Sequence, residues 1–254
     1  MAIFGNFAFV LFGFIECNGM AMMQVSQESA SSELPLLYKE LAAEYDLAET
    51  RYTFGGQAFT FLSVLDSYAL LDRISPEEFI KDEQMPYWAE IWPSAITLSS
   101  FIADELQLEG LRVVEIGAGV GMASTVAARK GAAVLATDYS LEALRFARYN
   151  GLKNRVALSC ERLDWRLVQC SEQFDLLFAA DVLYERVNLL PIVTAIDKLL
   201  APGGVAYIAD PRRRMAEQFL ELAAENNFSI TSFPKKYSGG TVPVSVNIYK
   251  MSRR

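Results

Sequence analysis

The residues best suited to chemistry in this 254-residue chain are acids, and they recur at the ends of apolar runs. Glu115 lies in VVEIGAGVG, with Gly117, Gly119 and Gly121 close behind it. Asp138 closes AVLATD, and Asp164 closes RVALSCERLD just ahead of Trp165. Asp181 follows FDLLFAA, with Ala180 before it and Tyr184 three residues on. If each run is a strand of one open parallel sheet, the four carboxylates share the rim at the strands' C-terminal ends, where such sheets bind ligands. A single strand-end acid is commonly a helix cap. Four of them beside a glycine turn imply a ligand.

The glycines fall between an apolar run and a helical pattern. There they permit a tight turn and let a ligand lie against the main chain, with the helix N-terminus behind it. A nucleotide-type ligand follows. The dinucleotide fingerprint G-x-G-x-x-G is not met, because position 122 is Met and the third glycine comes one residue early. Glu115, two residues before the first glycine, would oppose a pyrophosphate and suit a ligand carrying an ammonium and a sulfonium. Asp138 comes 21 residues after Gly117, the place of an acid that accepts hydrogen bonds from ribose hydroxyls. Its other reading is a cap for the helix that starts after Tyr139-Ser140.

Composition narrows the chemistry. There is no histidine, so no Ser-His-Asp or Cys-His relay can operate and no histidine-containing zinc site can form. Cys17, Cys160 and Cys170 show no C-x-x-C spacing and read as plain thiols of a reducing compartment. A net charge of -8 argues against nucleic-acid binding, which needs a basic face. Arg212, Arg213 and Arg214 form the one compact basic run and read as a solvated loop or helix start, with a contact for an acidic partner as the alternative. The uncharged stretch from Met1 to Ile15 is short for a membrane span and lacks the positive flank of a secretory signal. With 24–33 it is expected to be an apolar tail and polar linker (1–33), disordered or arising from a start assigned too far upstream, with a membrane anchor as the alternative.

The elements that must position these acids can be read from periodicity. Residues 34–84 make an N-terminal appendage: a helix at 34–47, a hairpin at 51–65 around Gly55-Gly56, a short helix near 65–73 and another capped by Ser75. From 85 to 254 a helix beginning at Pro93 precedes alternating strands and helices, with helices ended by Gly131 and Gly151 and a turn at Pro202-Gly203-Gly204. The pattern predicts an α/β, Rossmann-like doubly wound sheet of seven strands, mostly parallel. The last two strands, at 228–233 and 242–249, leave no room for a crossover helix and must pair antiparallel at one edge.

These residues resemble the motifs of the class I, seven-strand S-adenosylmethionine-dependent methyltransferases. EIGAGVG matches the first motif of that family, Asp138 its ribose acid and LDW at 163–165 its adenine-flanking segment, over about residues 85 to 250. PYWAEIWPSA ahead of the glycines and the D-x-x-Y of Asp181 to Tyr184 resemble, more narrowly, the methyltransferase-like protein-lysine methyltransferases. Their bacterial relatives often carry a nicotinamide N-methyltransferase-like label. The resemblance implies S-adenosyl-L-methionine as cofactor, held by Trp92, Glu115, Gly117, Gly119, Gly121, Asp138, Asp164, Trp165 and Ala180. It places Asp181 and Tyr184 at the substrate amine and requires no metal. The expected partner is a protein presenting a lysine, in the cytoplasm, with neither nucleic acid nor membrane involved. A small amine or pyridine is the alternative acceptor. A nicotinamide-dependent oxidoreductase, against which Met122 argues, and a non-catalytic binding module are the readings outside this class.

Overall fold

The computed structural model describes residues 27–71, 86–169 and 171–254. Helix α1 (Gln27–Glu44) leads into a hairpin of β1 (Leu47–Phe54) and β2 (Gln57–Val64) and a short helix α2 (Tyr68–Leu71). A 3-10 turn at Tyr87–Ala89 precedes helix α3 (Pro93–Glu105), whose first residue is the proline, where no N–H is needed. The alternating part follows: β3 (Arg112–Ile116), α4 (Met122–Arg129), β4 (Ala133–Asp138), α5 (Leu141–Lys153) and β5 (Ser159–Arg162). Then come β6 (Phe174–Ala180), α6 (Leu189–Leu199), β7 (Leu200–Asp210), α7 (Met215–Glu225), β8 (Phe228–Tyr237) and β9 (Val244–Arg253).

Seven strands form one sheet in the order β5-β4-β3-β6-β7-β9-β8. The first five run parallel, and β9 lies antiparallel to both β7 and β8. The expected closing edge pair is therefore present, with the last strand inserted inside the penultimate one. Helices cover both faces, which is why the central strands β3, β4 and β6 are mostly apolar runs, while the edge strands β5 and β8 are not. On one face Val114, Ile116 and Leu177 pack against Ile192, Ile196 and Phe219 of α6 and α7. On the other Val113 and Phe178 meet α3 and α4, and the hairpin aromatics Phe54, Phe59 and Phe61 extend that core.

The hairpin hangs from α5 by two asparagines one turn apart. Asn150, fully buried, accepts the Leu62 N–H at 2.7 Å and donates to Leu62 O at 3.0 Å and to Val120 O at 2.8 Å. Asn154 accepts the Thr60 N–H at 2.9 Å and donates to Thr60 O at 2.8 Å. Side-chain amides thus satisfy the backbone groups that β2 turns away from β1.

Three expectations change. The stretch read as a polar linker is helical from Gln27, and Glu33 and Glu44 of α1 pair with Arg148 and Arg145 of α5. Those partners lie more than 100 positions away, out of reach of local pattern. Gly151 does not end α5, which runs on to Lys153; a Cβ at Gly151 would meet Leu158 Cγ at 2.9 Å, so the glycine admits a close neighbour. The Pro202-Gly203-Gly204 turn is an irregularity inside β7, whose pairing with β6 skips from Phe174↔Leu200 to Leu176↔Val205. The expectations for Met1 to Ile15, Cys17, the helix at Ser75 and Cys170 lie outside the described residues. Burial pushes the Cys160 thiol up to about 12, so it holds its proton and is no nucleophile.

Candidate active site

The C-terminal ends of β3, β4 and β6, with the loop after β5, bound one cleft. Trp92, Glu115, Gly117, Gly119, Asp138, Asp164, Trp165, Ala180, Asp181 and Tyr184 all line it. Gly121 does not. It caps α4 in the left-handed region at φ 76, and a Cβ there would sit 2.7 Å from Ala147 Cβ on α5. Its role is helix packing under the loop. At Gly117, φ 65, an added Cβ would meet Val182 Cγ1 at 3.0 Å and the Trp165 ring at 3.2 Å, both of which line the same cleft.

The acids differ in how they are held. Glu115 turns its side chain under α4, where Oε2 accepts the Ser124 N–H at 2.8 Å and the Ser124 hydroxyl. Gly121 offers α4 no side-chain cap, so Glu115 does that work from the strand. Burial, only partly offset by Ser124, pushes its carboxyl up to about 8. Asp138 accepts the Gly119 N–H at 2.8 Å on one oxygen and the Ser140 N–H at 2.9 Å on the other. It therefore ties the glycine loop to the start of α5 and keeps lone pairs for ribose hydroxyls. The helix cap proper is Ser140, which accepts from Ala143 N–H. Asp164 is engaged by Arg166 through its side chain and its N–H. Burial raises its carboxyl, but Arg166 outweighs that and holds it below the usual range.

A pH dependence of stability follows from Glu115. Folded, it keeps its proton up to about 8, while the unfolded chain releases it near 4.5. Between those values the native state binds the extra proton, so stability falls as pH rises, by up to about 1.4 kcal/mol per pH unit. Asp138 and Asp210, both raised by burial, act in the same direction. Urea unfolding at pH 5.5, 6.5 and 7.5 should show this decline, and Glu115→Gln should flatten it. An unchanged slope in that variant would reassign the effect to other groups.

The second half of the cleft is built around Asp181. Its backbone is in the left-handed region at φ 59, with its N–H donating to Ala209 O at 2.8 Å. One side-chain oxygen accepts from Ser94 Oγ at 3.2 Å. The other accepts from Arg213, with Nε at 2.7 Å and Nη2 at 2.6 Å. Arg213 is thus not part of a solvated run; it points inward from the loop after β7. Tyr87, Trp92 and Tyr184 stand beside this group, Tyr87 packing edge-on against Tyr184 at 5.0 Å and against Trp92 at 6.2 Å. The Trp92 indole N–H donates to Tyr87 O at 2.8 Å and fixes the ring. Burial and the neighbouring Glu185 carboxylate push the Tyr184 phenol up, so it remains a neutral O–H and aromatic face. From sequence Arg213 figures only as part of the basic run read as solvated, and Asp210 is not singled out. Asp210 obeys the same strand-end rule as the others, in VAYIAD; Arg213 carried no local signal.

The lining suits a cation. Among the described residues, Glu90, Asp138, Asp164, Asp181 and Glu185 line the wall with Arg166, and Arg213 pairs with Asp181 from outside it, while Glu115 keeps its proton up to about 8, so acids still outnumber bases. A pyrophosphate would meet a negative field there, whereas a nucleoside bearing a sulfonium and an ammonium would meet a matching one.

Comparison with known proteins bears on the family and the fold. Residues 79–226 match the family described as lysine methyltransferase. The mouse protein-lysine methyltransferase METTL21E is 29% identical over 188 residues, covering 66% of this chain and 72% of that one. A ubiquinone biosynthesis O-methyltransferase from Agrobacterium fabrum is 31% identical over 121 residues, covering 47% of this chain and 48% of its own, so the chain spans about half of that relative. Among solved structures, the glycopeptide N-methyltransferase MtfA complexed with S-adenosylmethionine superposes with a TM-score of 0.52 at 12% identity, covering 63% of this chain and 94% of that one.

Proposed function

The chain belongs to the lysine methyltransferase family, and on that premise we propose that it transfers a methyl group from S-adenosyl-L-methionine to a lysine side chain of a protein. The observation that carries this reading is Asp181 and Tyr184 set beside the glycine-loop cleft, with Trp92 and Tyr87 facing them. The cofactor supplies, when bound, a methyl group on a positively charged sulfur. Gly117 and Gly119 would let it approach the main chain, Asp138 would accept from its ribose hydroxyls, and Trp165 would flank the base. At the other end, Asp181 accepts a hydrogen bond from the acceptor amine and orients its lone pair. A lysine amine has a reference pKa of ~10.4 and arrives charged. It reaches Asp181 as the ammonium and then releases its proton to solvent, the apolar walls around Tyr87, Trp92 and Tyr184 favouring the neutral form. The aromatic faces hold the cation before that, at roughly 0.5–2 kcal/mol each. The phenol of Tyr184, staying protonated, does not act as a base.

The oxidoreductase and binding-module readings lose their support, since both the family and the negative cleft point elsewhere. No helix among the described residues is long and apolar enough to cross a membrane. A cytoplasmic setting and a partner other than nucleic acid belong to the same proposal, supported by the unpaired cysteine spacing and the net charge of -8.

Radiolabelled S-adenosylmethionine and the purified chain, incubated with lysate from cells that lack it, should label a protein band, and hydrolysis of that band should release methylated lysine. Label confined to the low-mass fraction would favour a small amine acceptor, and label on another residue type would overturn the lysine assignment.

A further inference from the structure

Arg213 reaches the very carboxylate assigned to the acceptor amine. Its Nε and Nη2 sit 2.7 and 2.6 Å from Asp181 Oδ1. Its guanidinium carbon lies 6.0 Å from the Trp92 ring centroid. A carboxylate beside an aromatic face is the arrangement that recognises an alkylammonium. Here the chain's own cation fills it.

A second, independent observation lies at Asp210. This residue is fully buried, and Oδ1 accepts the Arg213 backbone N–H at 2.7 Å. Oδ2 finds no hydrogen-bond partner among the described residues. A buried carboxylate oxygen left unpaired is costly and rare. The bond to Oδ1 holds Asp210 next to the root of the Arg213 side chain, which makes Oδ2 a neighbouring unpaired acceptor to offer the guanidinium a second seat. The Arg213 side chain is 34% exposed, so it is not locked in place by packing on every side.

Resting on the lysine methyltransferase reading, we propose that Arg213 is a placeholder for the substrate. It pairs with Asp181 until a lysine ammonium arrives, and its guanidinium then passes to Oδ2 of Asp210. The exchange keeps charge in step. Before it, two carboxylates share one cation; after it, each has its own. Asp181 is thereby kept satisfied in the absence of substrate, and amines too weakly bound to displace a guanidinium are turned away. Arg213 acts through Asp181 and is a positioning residue, not a catalytic one.

The test uses the full chain saturated with S-adenosylhomocysteine and titrated with n-butylammonium, followed by tryptophan fluorescence and by the Trp92 indole N–H signal. If the open form is a minor state, Arg213→Gln should bind the amine roughly tenfold more tightly than the wild type. Asp210→Asn, which weakens the second seat, should bind it several-fold more weakly. In an Arg213→Gln background Asp210→Asn should change nothing. A structural loss would not tighten binding, so equal, weaker or absent binding by Arg213→Gln overturns the placeholder. Calorimetry with S-adenosylhomocysteine checks each variant. If the wild type itself fails to bind that nucleoside, the methyltransferase reading falls and takes the placeholder with it. Intact nucleoside binding with unimproved amine affinity removes the placeholder alone.

Discussion

Asp181→Asn should cut methyl transfer by about 10²-fold or more while S-adenosylhomocysteine binds as it does to the wild type. Asparagine is the informative choice. The residue sits at φ 59, a conformation that Asn and Asp tolerate and that costs most other side chains ~1–2 kcal/mol. Asn also keeps an oxygen for Ser94, which lies 3.2 Å away. What it loses is the charge that receives an amine and the second acceptor that orients it. Misplacing a reacting group by about 1 Å can alone cost 10²-fold. Asp181→Ala would add backbone strain and mix a folding defect into the result. Single-turnover transfer to the labelled acceptor, alongside calorimetry, separates the outcomes. Undiminished transfer in a clean Asp181→Asn preparation would remove Asp181 from the acceptor site.

The second large effect is expected far from the chemistry. Asn150→Ala strips partners from the Leu62 N–H, the Leu62 carbonyl and the Val120 carbonyl in a fully buried position. Leaving a buried polar group unpaired costs about 1–3 kcal/mol, so a total loss of roughly 3 kcal/mol or more is expected. Val120 lies in the glycine loop, so the variant should also weaken S-adenosylhomocysteine binding. Asn154→Ala, which touches the hairpin and its own helix but not the loop, should destabilise without that second effect. A urea midpoint and a dissociation constant for each variant check both statements. Equal loss of nucleoside affinity in the two would mean that the hairpin, not Val120, transmits the change.

Much of this site was legible because one rule places it. Strands that are buried on both faces read as continuous apolar runs, and their last residues reach the rim. Glu115, Asp138 and Asp181 could be located by that rule alone. Asp210 satisfied it too, at the end of β7. Arg213 could not be found this way. Three consecutive arginines look solvated, and only the turn at Arg212, with φ 63, directs the middle one inward to an acid 32 positions earlier. Glycines mislead for a related reason. Gly121 and Gly151 are small because of Ala147 and Leu158 beside them, and a sequence does not say which neighbours press on a residue. The helical start of α1 was hidden likewise, since its glutamates find their arginines only after α5 has folded.

The asparagine clasp on β2 has a consequence for how the molecule behaves in a crowd. A bare strand flank is an invitation to polymerise, because any passing chain can extend the ladder. Two amides close that flank, so the hairpin gives neighbouring copies no template on this side, and Asn150→Ala should raise turbidity on storage as well as lower the unfolding midpoint.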